Sequence, residues 1–157
     1  MKAMTEQVVV HSTFIIEREY SASPVRVFAA FANQETKRRW FVEGEGWEIL
    51  EYTFDFRVGG REFSRFRFKG GPEMSNDTIH HDIVPNRRIV SSYAMTIGEQ
   101  RLSVSLATVE LAPAGEGTKL TYTEQGAFFD GLDKPQQREA GCRELLGKLA
   151  EELDRAR

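Results

Sequence analysis

The stretch DKPQQREAGCRELLGKLAEELDR, residues 133–155, has the pattern of one long amphipathic helix. Leu145, Leu149 and Leu153 recur every four residues, which places them on a single helical face. Asp133 precedes the pattern as a candidate N-cap. At about 1.5 Å per residue, the helix is roughly 30 Å long, enough to cross a whole β-sheet.

The sequence ahead of this helix alternates between apolar and polar residues for much of its length. Turn signals such as Gly59-Gly60, Pro85-Asn86 and Gly98 interrupt the alternation. The pattern predicts six antiparallel strands over residues 49–58, 61–69, 76–84, 88–97, 101–112 and 118–125. The short connections between them are typical of a meander of hairpins.

The N-terminal part of the chain predicts one more strand and two short helices. Residues 13–20 have strand character, and Ser23 with Pro24 predicts a helix start directly afterwards. We expect the buried stripe of this first helix to be Val25, Phe28, Ala29 and Ala32. A second helix is predicted over residues 34–40, capped by Asn33, with Lys37, Arg38 and Arg39 facing solvent.

The predicted order is therefore β-α-α, six strands and a final helix, an α+β arrangement of about seven strands. One helix as long as the sheet is wide indicates a curved antiparallel sheet wrapped round that helix. Because such a sheet cannot always fill the space beneath it, we expect an interior cavity.

Length and charge limit the classes of protein to consider. The 157 residues predict a single domain over residues 13–157, preceded by a tail over residues 1–12. A net charge of -3 argues against a nucleic-acid partner. No apolar run approaches the roughly 20 residues of a membrane span, so we expect no membrane insertion. The first residues also lack a signal-peptide core, and a cytoplasmic location is predicted. Cys142 is the single cysteine, which excludes an internal disulfide.

Five segments resemble those of a known superfamily, in the same order. They are EREYSASPVRVFAAFANQETKRRWF, FDFRVGGREF, DIVPNRRIVSSY, GTKLTYTEQGAFF and GCRELLGKLAEEL. Together they are similar to bacterial START-like proteins of the SRPBCC superfamily, over residues 14–153. The branch is the one named after the activator of the heat-shock-protein-ninety ATPase, which is grouped with polyketide cyclases. The resemblance implies the helix-grip fold shared with birch-pollen-allergen-like proteins. Where relatives often have Gly-Trp in the last helix, this chain has Gly141-Cys142.

Strict alternation along the strands predicts which polar side chains face the cavity. Ile79 and Ile83 mark the buried face of their strand, so His81 should point inward, and His80 and Asp82 outward. The inward polar set is then His81, Tyr93, Tyr122 and Glu124. We predict a ligand-binding set of Trp40, Phe54, Phe56, Phe66, Phe68, His81, Tyr93, Met95, Tyr122, Glu124, Cys142, Leu145, Leu146 and Leu149.

Three functions are open at this point. The first is binding of a hydrophobic small molecule, whether lipid, aromatic or polyketide-like, in the cavity. The second is a cyclase or dehydrase in which Glu124 and His81 act as a general acid/base pair and Tyr93 stabilises an enolate. The third, implied by the resemblance, is a stress-response or chaperone-associated protein, although a single domain has no room for the extra domain of the eukaryotic namesake. We expect a binding protein rather than an enzyme, with no metal site and no cofactor, and a homodimer is left open.

The stretch FDFRVGGREFSRFRF, residues 54–68, predicts a hairpin with a turn at Gly59-Gly60. In that register Arg57 faces Glu62 and Phe56 faces Phe63. Strict alternation would then separate Phe66 and Phe68 from the other phenylalanines. We therefore predict a β-bulge near Ser64 and Arg65 that returns both to the concave face.

Overall fold

The structure is a computed structural model that describes residues 8–155. The elements, in chain order, are β1 (Val9–Tyr20), α1 (Pro24–Ala32), α2 (Gln34–Lys37), a π-helical turn (Arg38–Val42), β2 (Trp47–Thr53), β3 (Arg61–Phe68), β4 (Met74–Val84), β5 (Arg88–Ile97), β6 (Gln100–Ala114), β7 (Gly117–Phe129) and α3 (Pro135–Arg155). The predicted α+β order is confirmed.

The seven strands form one antiparallel sheet in the order β1-β7-β6-β5-β4-β3-β2. Five connections join neighbouring strands, and β1 reaches the far side of the meander to pair with β7. The sheet curves round α3, whose Leu146, Leu149 and Leu153 are buried against Phe14 and Ile16 of β1 and their neighbours. This arrangement is the predicted helix-grip fold.

The ends of the sheet differ from the prediction at β1 and β2. β1 begins at Val9, so residues 9–12, predicted as tail, pair in the sheet with β7. Residues 1–7 of that predicted tail lie outside the described residues. β2 ends at Thr53, because residues 54–60 form a loop rather than a strand. Gly60 is required in this loop, since an added Cβ would lie 2.1 Å from the backbone oxygen of Asp55.

The first helix begins as predicted but buries a different face. The Oγ of Ser23 accepts a hydrogen bond from the backbone N of Arg26, as expected of an N-cap. However, Val27, Ala30 and Phe31 are the buried residues, whereas Val25 is 60% exposed. Most positions of this helix are apolar, so spacing alone could not distinguish the two stripes.

The second predicted helix is divided into α2 and the π-helical turn. The Oδ1 of Asn33 caps α2 by accepting from the backbone N of Thr36, which confirms the predicted cap. Lys37 was predicted to face solvent but is buried, with only 7% of its surface exposed. The π-helical turn follows it directly and buries Trp40, whose Nε1 donates to the backbone oxygen of Ala30.

The predicted β-bulge at Ser64 and Arg65 is wrong. The ladder between β3 and β4 is regular from Arg61 to Phe66, and the register shift lies on β2, between Ile49 and Glu51. Because residues 54–60 form a loop, Phe63 pairs with Thr53 rather than with Phe56. The predicted pairing of Arg57 with Glu62 is also absent, since Arg57 binds Asp55.

Candidate ligand-binding cavity

A cavity of about 440 Å³ lies between strands β3 to β5 and the first half of α3. It is partly open to solvent, and most of its lining is apolar. Apolar side chains from the helices and the sheet include Phe31, Phe41, Phe66, Met95 and Leu145. The volume is within the usual range of small-molecule pockets, roughly 300–1,000 Å³.

The inward face of β4 differs from the prediction because the strand contains a β-bulge at His81. The register passes from His80 opposite Ser91 to Asp82 opposite Val90, which leaves His81 without a partner in the ladder. The extra residue reverses the alternation. His80 is therefore 3% exposed and lines the cavity, whereas His81 is exposed, with its Nε2 2.7 Å from the Oγ of Ser92.

Glu62 is the centre of one polar cluster in the cavity. Its carboxylate lies 3.2 Å from the Nζ of Lys37, and both side chains are less than 10% exposed. His80 places Nε2 3.5 Å from Glu62 and Nδ1 2.8 Å from the Oγ of Ser91. Burial opposes ionisation of Glu62, but Lys37 and His80 outweigh it and hold the pKa of Glu62 below its ordinary value.

Three aromatic rings surround the ammonium group of Lys37 in this cluster. Its Nζ lies 4.4 Å from the ring centroid of Phe41 and within 6 Å of the rings of Phe31 and Trp40. Such cation–π contacts partly compensate a desolvated ammonium group. The charge pair is thus built into the wall of the cavity.

Glu124 is the centre of a second polar cluster. The hydroxyl of Tyr93 lies 2.8 Å from both carboxylate oxygens of Glu124, and the hydroxyl of Tyr122 donates to Oε1 at 2.6 Å. The Nη1 of Arg138 donates to the Tyr93 oxygen at 3.0 Å, and its Nη2 binds Asp133 at 2.6 Å. Asp133 therefore anchors Arg138 by an ion pair.

Burial and charge explain the acidities in this cluster. Burial raises the pKa of Tyr93 and Tyr122 well above the ordinary value of 10, and Glu124 acts in the same direction. Burial, reinforced by Glu124, also raises the pKa of Cys142 to about 12. The hydroxyls and the thiol are therefore neutral hydrogen-bonding groups at pH 7. Burial opposes the charge of Arg138, but Tyr93, Glu124 and Asp133 outweigh it and raise its pKa.

The structure brings together part of the predicted ligand-binding set. The members that line the cavity are Phe66, Tyr93, Met95, Tyr122, Cys142 and Leu145. Glu124, 1% exposed, lies behind the two tyrosines. Those placed elsewhere are Trp40, Leu146 and Leu149 in the core, Phe54 and Phe56 in the loop before β3, Phe68 at the surface, and His81 on the outer face.

The predicted set did not include many of the polar residues that line the cavity, among them Lys37, Glu62, His80, Ser91 and Arg138. Arg138 carried a signal, because it precedes Cys142 by four residues and so continues the apolar stripe of α3 towards its N-terminus. The sequence carried no local signal for Glu62 and Lys37, since these two partners are 25 residues apart in the chain.

Within residues 8–155, no three His, Cys, Asp or Glu side chains are grouped so as to hold a metal ion. Among the helices in the same part of the chain, none combines the length and the apolar character needed to cross a membrane.

Comparisons with known proteins place this fold among relatives. A family model described as Activator of Hsp90 ATPase homolog 1-like protein matches residues 21–156. The crystal structure of the Mll3558 protein from Rhizobium loti is 60% identical, covers 92% of this chain and 99% of its own, and has a TM-score of 0.87. An uncharacterized protein from Rhizobium leguminosarum is 39% identical, with 95% and 98% covered and a TM-score of 0.91.

A more distant match shows the fold alone. DynU16, from the dynemicin biosynthetic locus, is 17% identical and has a TM-score of 0.65, with 90% of this chain and 47% of that chain covered. None of the curated proteins matches this chain. Together, the family model and the structures confirm the START-like resemblance found in the sequence.

Proposed function

Since this chain belongs to the Activator of Hsp90 ATPase homolog 1-like family, we propose that it binds a hydrophobic, aromatic or polyketide-like small molecule between its sheet and α3. The observation that carries this proposal is the cavity of about 440 Å³ with a mainly apolar lining. An apolar void of that size destabilises a fold by leaving side chains without contacts. A ligand that fills the void offsets this cost.

The arrangement of polar groups supports a binding role. Two polar clusters, around Glu62 and around Glu124, lie in a mainly apolar wall, and a few fixed polar groups are what orient a ligand within a pocket. Ser91 and Tyr93 connect the clusters, because they are two residues apart on the inward face of β5. Their Cα atoms are thus roughly 7 Å apart, so one molecule of modest size can contact both clusters.

Native mass spectrometry of the protein purified from its own host tests the proposal. We expect a retained small-molecule mass, and thermal stabilisation by members of a lipid and polyphenol panel. Cys142→Trp should remove both effects by filling the cavity that Cys142 lines. Leu132→Trp is the matched control, because Leu132 is 44% exposed and outside the lining. Repeated absence of a bound mass together with no stabilisation would overturn the proposal.

Proton transfer in the same cavity is a second candidate function, supported by the buried Tyr93–Glu124–Tyr122 cluster. The sequence predicted His81 as a participant in this chemistry, but His80 is the histidine that lines the cavity. Such an enzyme would lose turnover in Glu124→Gln while ligand-induced stabilisation persisted. Equal loss of binding and turnover would instead indicate a structural role for Glu124.

A further inference from the structure

The charges around the cavity argue against an anionic ligand. In the described part of the chain, two of the three cations that line it are paired with carboxylates, Lys37 with Glu62 at 3.2 Å and Arg138 with Asp133 at 2.6 Å. The third, Lys148, is partly exposed and donates to the backbone oxygen of Glu43 at 3.2 Å. The carboxylates are more numerous, and are Glu43, Glu62, Asp133 and Glu144 in the lining, with Glu124 behind it. A carboxylate ligand inside the cavity would thus be desolvated among like charges, and neither Lys37 nor Arg138 is free to act as its counter-ion.

The wall formed by β3 and β4 changes in polarity along its length. Three pairs of residues, directly opposite each other in the register, all line the cavity: Glu62 with Thr78, Ser64 with Asn76, and Phe66 with Met74. The wall is therefore charged at one end, neutral and polar in the middle, and apolar at the other end. An apolar body with one uncharged polar group matches this order.

The middle pair has unused hydrogen-bonding capacity. The Oδ1 of Asn76 accepts from the hydroxyl of Thr78 at 2.8 Å, which orients the carboxamide and leaves its NH₂ group without a bond to any atom of residues 8–155. The hydroxyl of Ser64, a side chain only 6% exposed, is also unbonded within that range. Opposed side chains in such a pair have Cβ atoms about 5 Å apart, close enough for both to donate to one oxygen.

We propose that the cavity selects uncharged aromatic ligands with a carbonyl or phenolic oxygen, bound jointly by Ser64 and Asn76, and rejects carboxylates. This inference rests on the proposed binding function and narrows it to one ligand class. The aromatic body of the ligand would lie against Phe66, Met74 and Met95, at the apolar end of the wall. Fatty acids, which have a similar apolar content, would be poor ligands because of their charge.

Three naphthalenes of nearly equal size test the proposal: 2-acetonaphthone, 2-ethylnaphthalene and 2-naphthoate. Their affinities for the full chain are measured at pH 7 by isothermal titration calorimetry in matched co-solvent. We expect the ketone to bind about fivefold to tenfold more tightly than the hydrocarbon, the effect of one or two neutral hydrogen bonds. The carboxylate should bind on the order of a hundredfold more weakly than the ketone.

Variants locate the oxygen site. Ser64→Ala combined with Asn76→Leu should bring the affinity for the ketone down to that for the hydrocarbon, whose own affinity should stay within about twofold. Ser92→Ala is the matched control, because Ser92 bonds to the exposed His81 on the outer face, and it should change none of the affinities.

The results of these measurements distinguish failure of the oxygen site from failure of the proposed binding function. If neither the ketone nor the hydrocarbon binds, the proposed function itself is wrong for aromatic ligands. If both bind equally well to the wild-type protein, or if the double variant keeps the preference for the ketone, the oxygen site is wrong and the binding function stands. Equal affinity for the carboxylate and the ketone would refute the charge selection. The wild-type comparison does not depend on whether the variants fold.

Discussion

Replacing Lys37 by methionine should destabilise the protein through Glu62. Methionine keeps the apolar stem that packs near Phe31 and Phe41 but removes the ammonium 3.2 Å from the Glu62 carboxylate. Glu62 would then be a buried carboxylate whose remaining neighbours are His80 at 3.5 Å and the Tyr52 hydroxyl at 3.4 Å. Burial, the largest influence on its pKa, would be opposed only by these weaker contacts.

The cost follows from the protonation state that Glu62 would adopt. Keeping a carboxyl with an ordinary pKa of 4.5 protonated at pH 7 costs about 3.4 kcal/mol. This value limits the part of the loss that comes from leaving the carboxylate unpaired, because protonation is available whenever an unpaired charge would cost more. Removing one partner of a buried ion pair typically costs about 3–5 kcal/mol. We therefore expect Lys37→Met to lower the free energy of unfolding by about 3 kcal/mol.

Urea unfolding at pH 7 measures this effect, and a double-mutant cycle isolates the pair. Lys37→Met combined with Glu62→Gln should recover to within about 1 kcal/mol of the wild-type protein, because no unpaired charge remains. Lys119→Met is the control: it removes an exposed pair with Glu17 and should cost less than about 0.5 kcal/mol. A loss below about 1 kcal/mol for Lys37→Met, or additive losses in the double variant, would refute the reasoning.

Three further predictions concern single groups. Tyr93→Phe removes a donor to the Glu124 carboxylate and should lower the free energy of unfolding by about 2 kcal/mol; an unchanged urea midpoint would contradict the described contact. Cys142, with its pKa raised to about 12, should react with a disulfide reagent at pH 8 only after unfolding, and rapid reaction of the native protein would contradict its burial. The pKa of folded Glu62 lies below 4.5, so the stabilisation that its carboxylate provides is present above pH 4.5 and is lost as the pH falls through the folded pKa. The difference in free energy of unfolding between wild type and Glu62→Gln should therefore shrink in acid. A difference that stays constant with pH would contradict the ion pair.

The sequence predicted the strands well because alternation and turn residues are local signals. The bounds of β5 agree with the prediction at both ends, and β6 and β7 extend beyond theirs by only a few residues. The same local patterns placed Tyr93, Tyr122 and Glu124 on the inward face, where the structure also has them. Side-chain direction follows directly from register wherever the ladder is regular.

The errors arose where a side chain's position depends on something other than local pattern. One additional residue in β4 exchanged the roles of His80 and His81, and neither glycine nor proline marks that bulge. Lys37 has the composition of a solvent-exposed helical residue, and its burial depends on Glu62 and on aromatic rings from other parts of the chain. Long-range compensation of this kind cannot be read from spacing.

The pairing of β1 with β7 affects how the protein is made. Among the seven strands of the described sheet, β1 is synthesised first, whereas its partner β7, from Gly117 to Phe129, is synthesised last. At typical rates of synthesis, the interval between them is on the order of ten seconds. The strands from β2 to β6 can meanwhile form hairpins with their neighbours, whereas β1, with Val9 and Val10, waits with both edges unpaired. We therefore expect the pairing of β1 with β7, which closes this edge of the sheet, to be a late step of folding during synthesis.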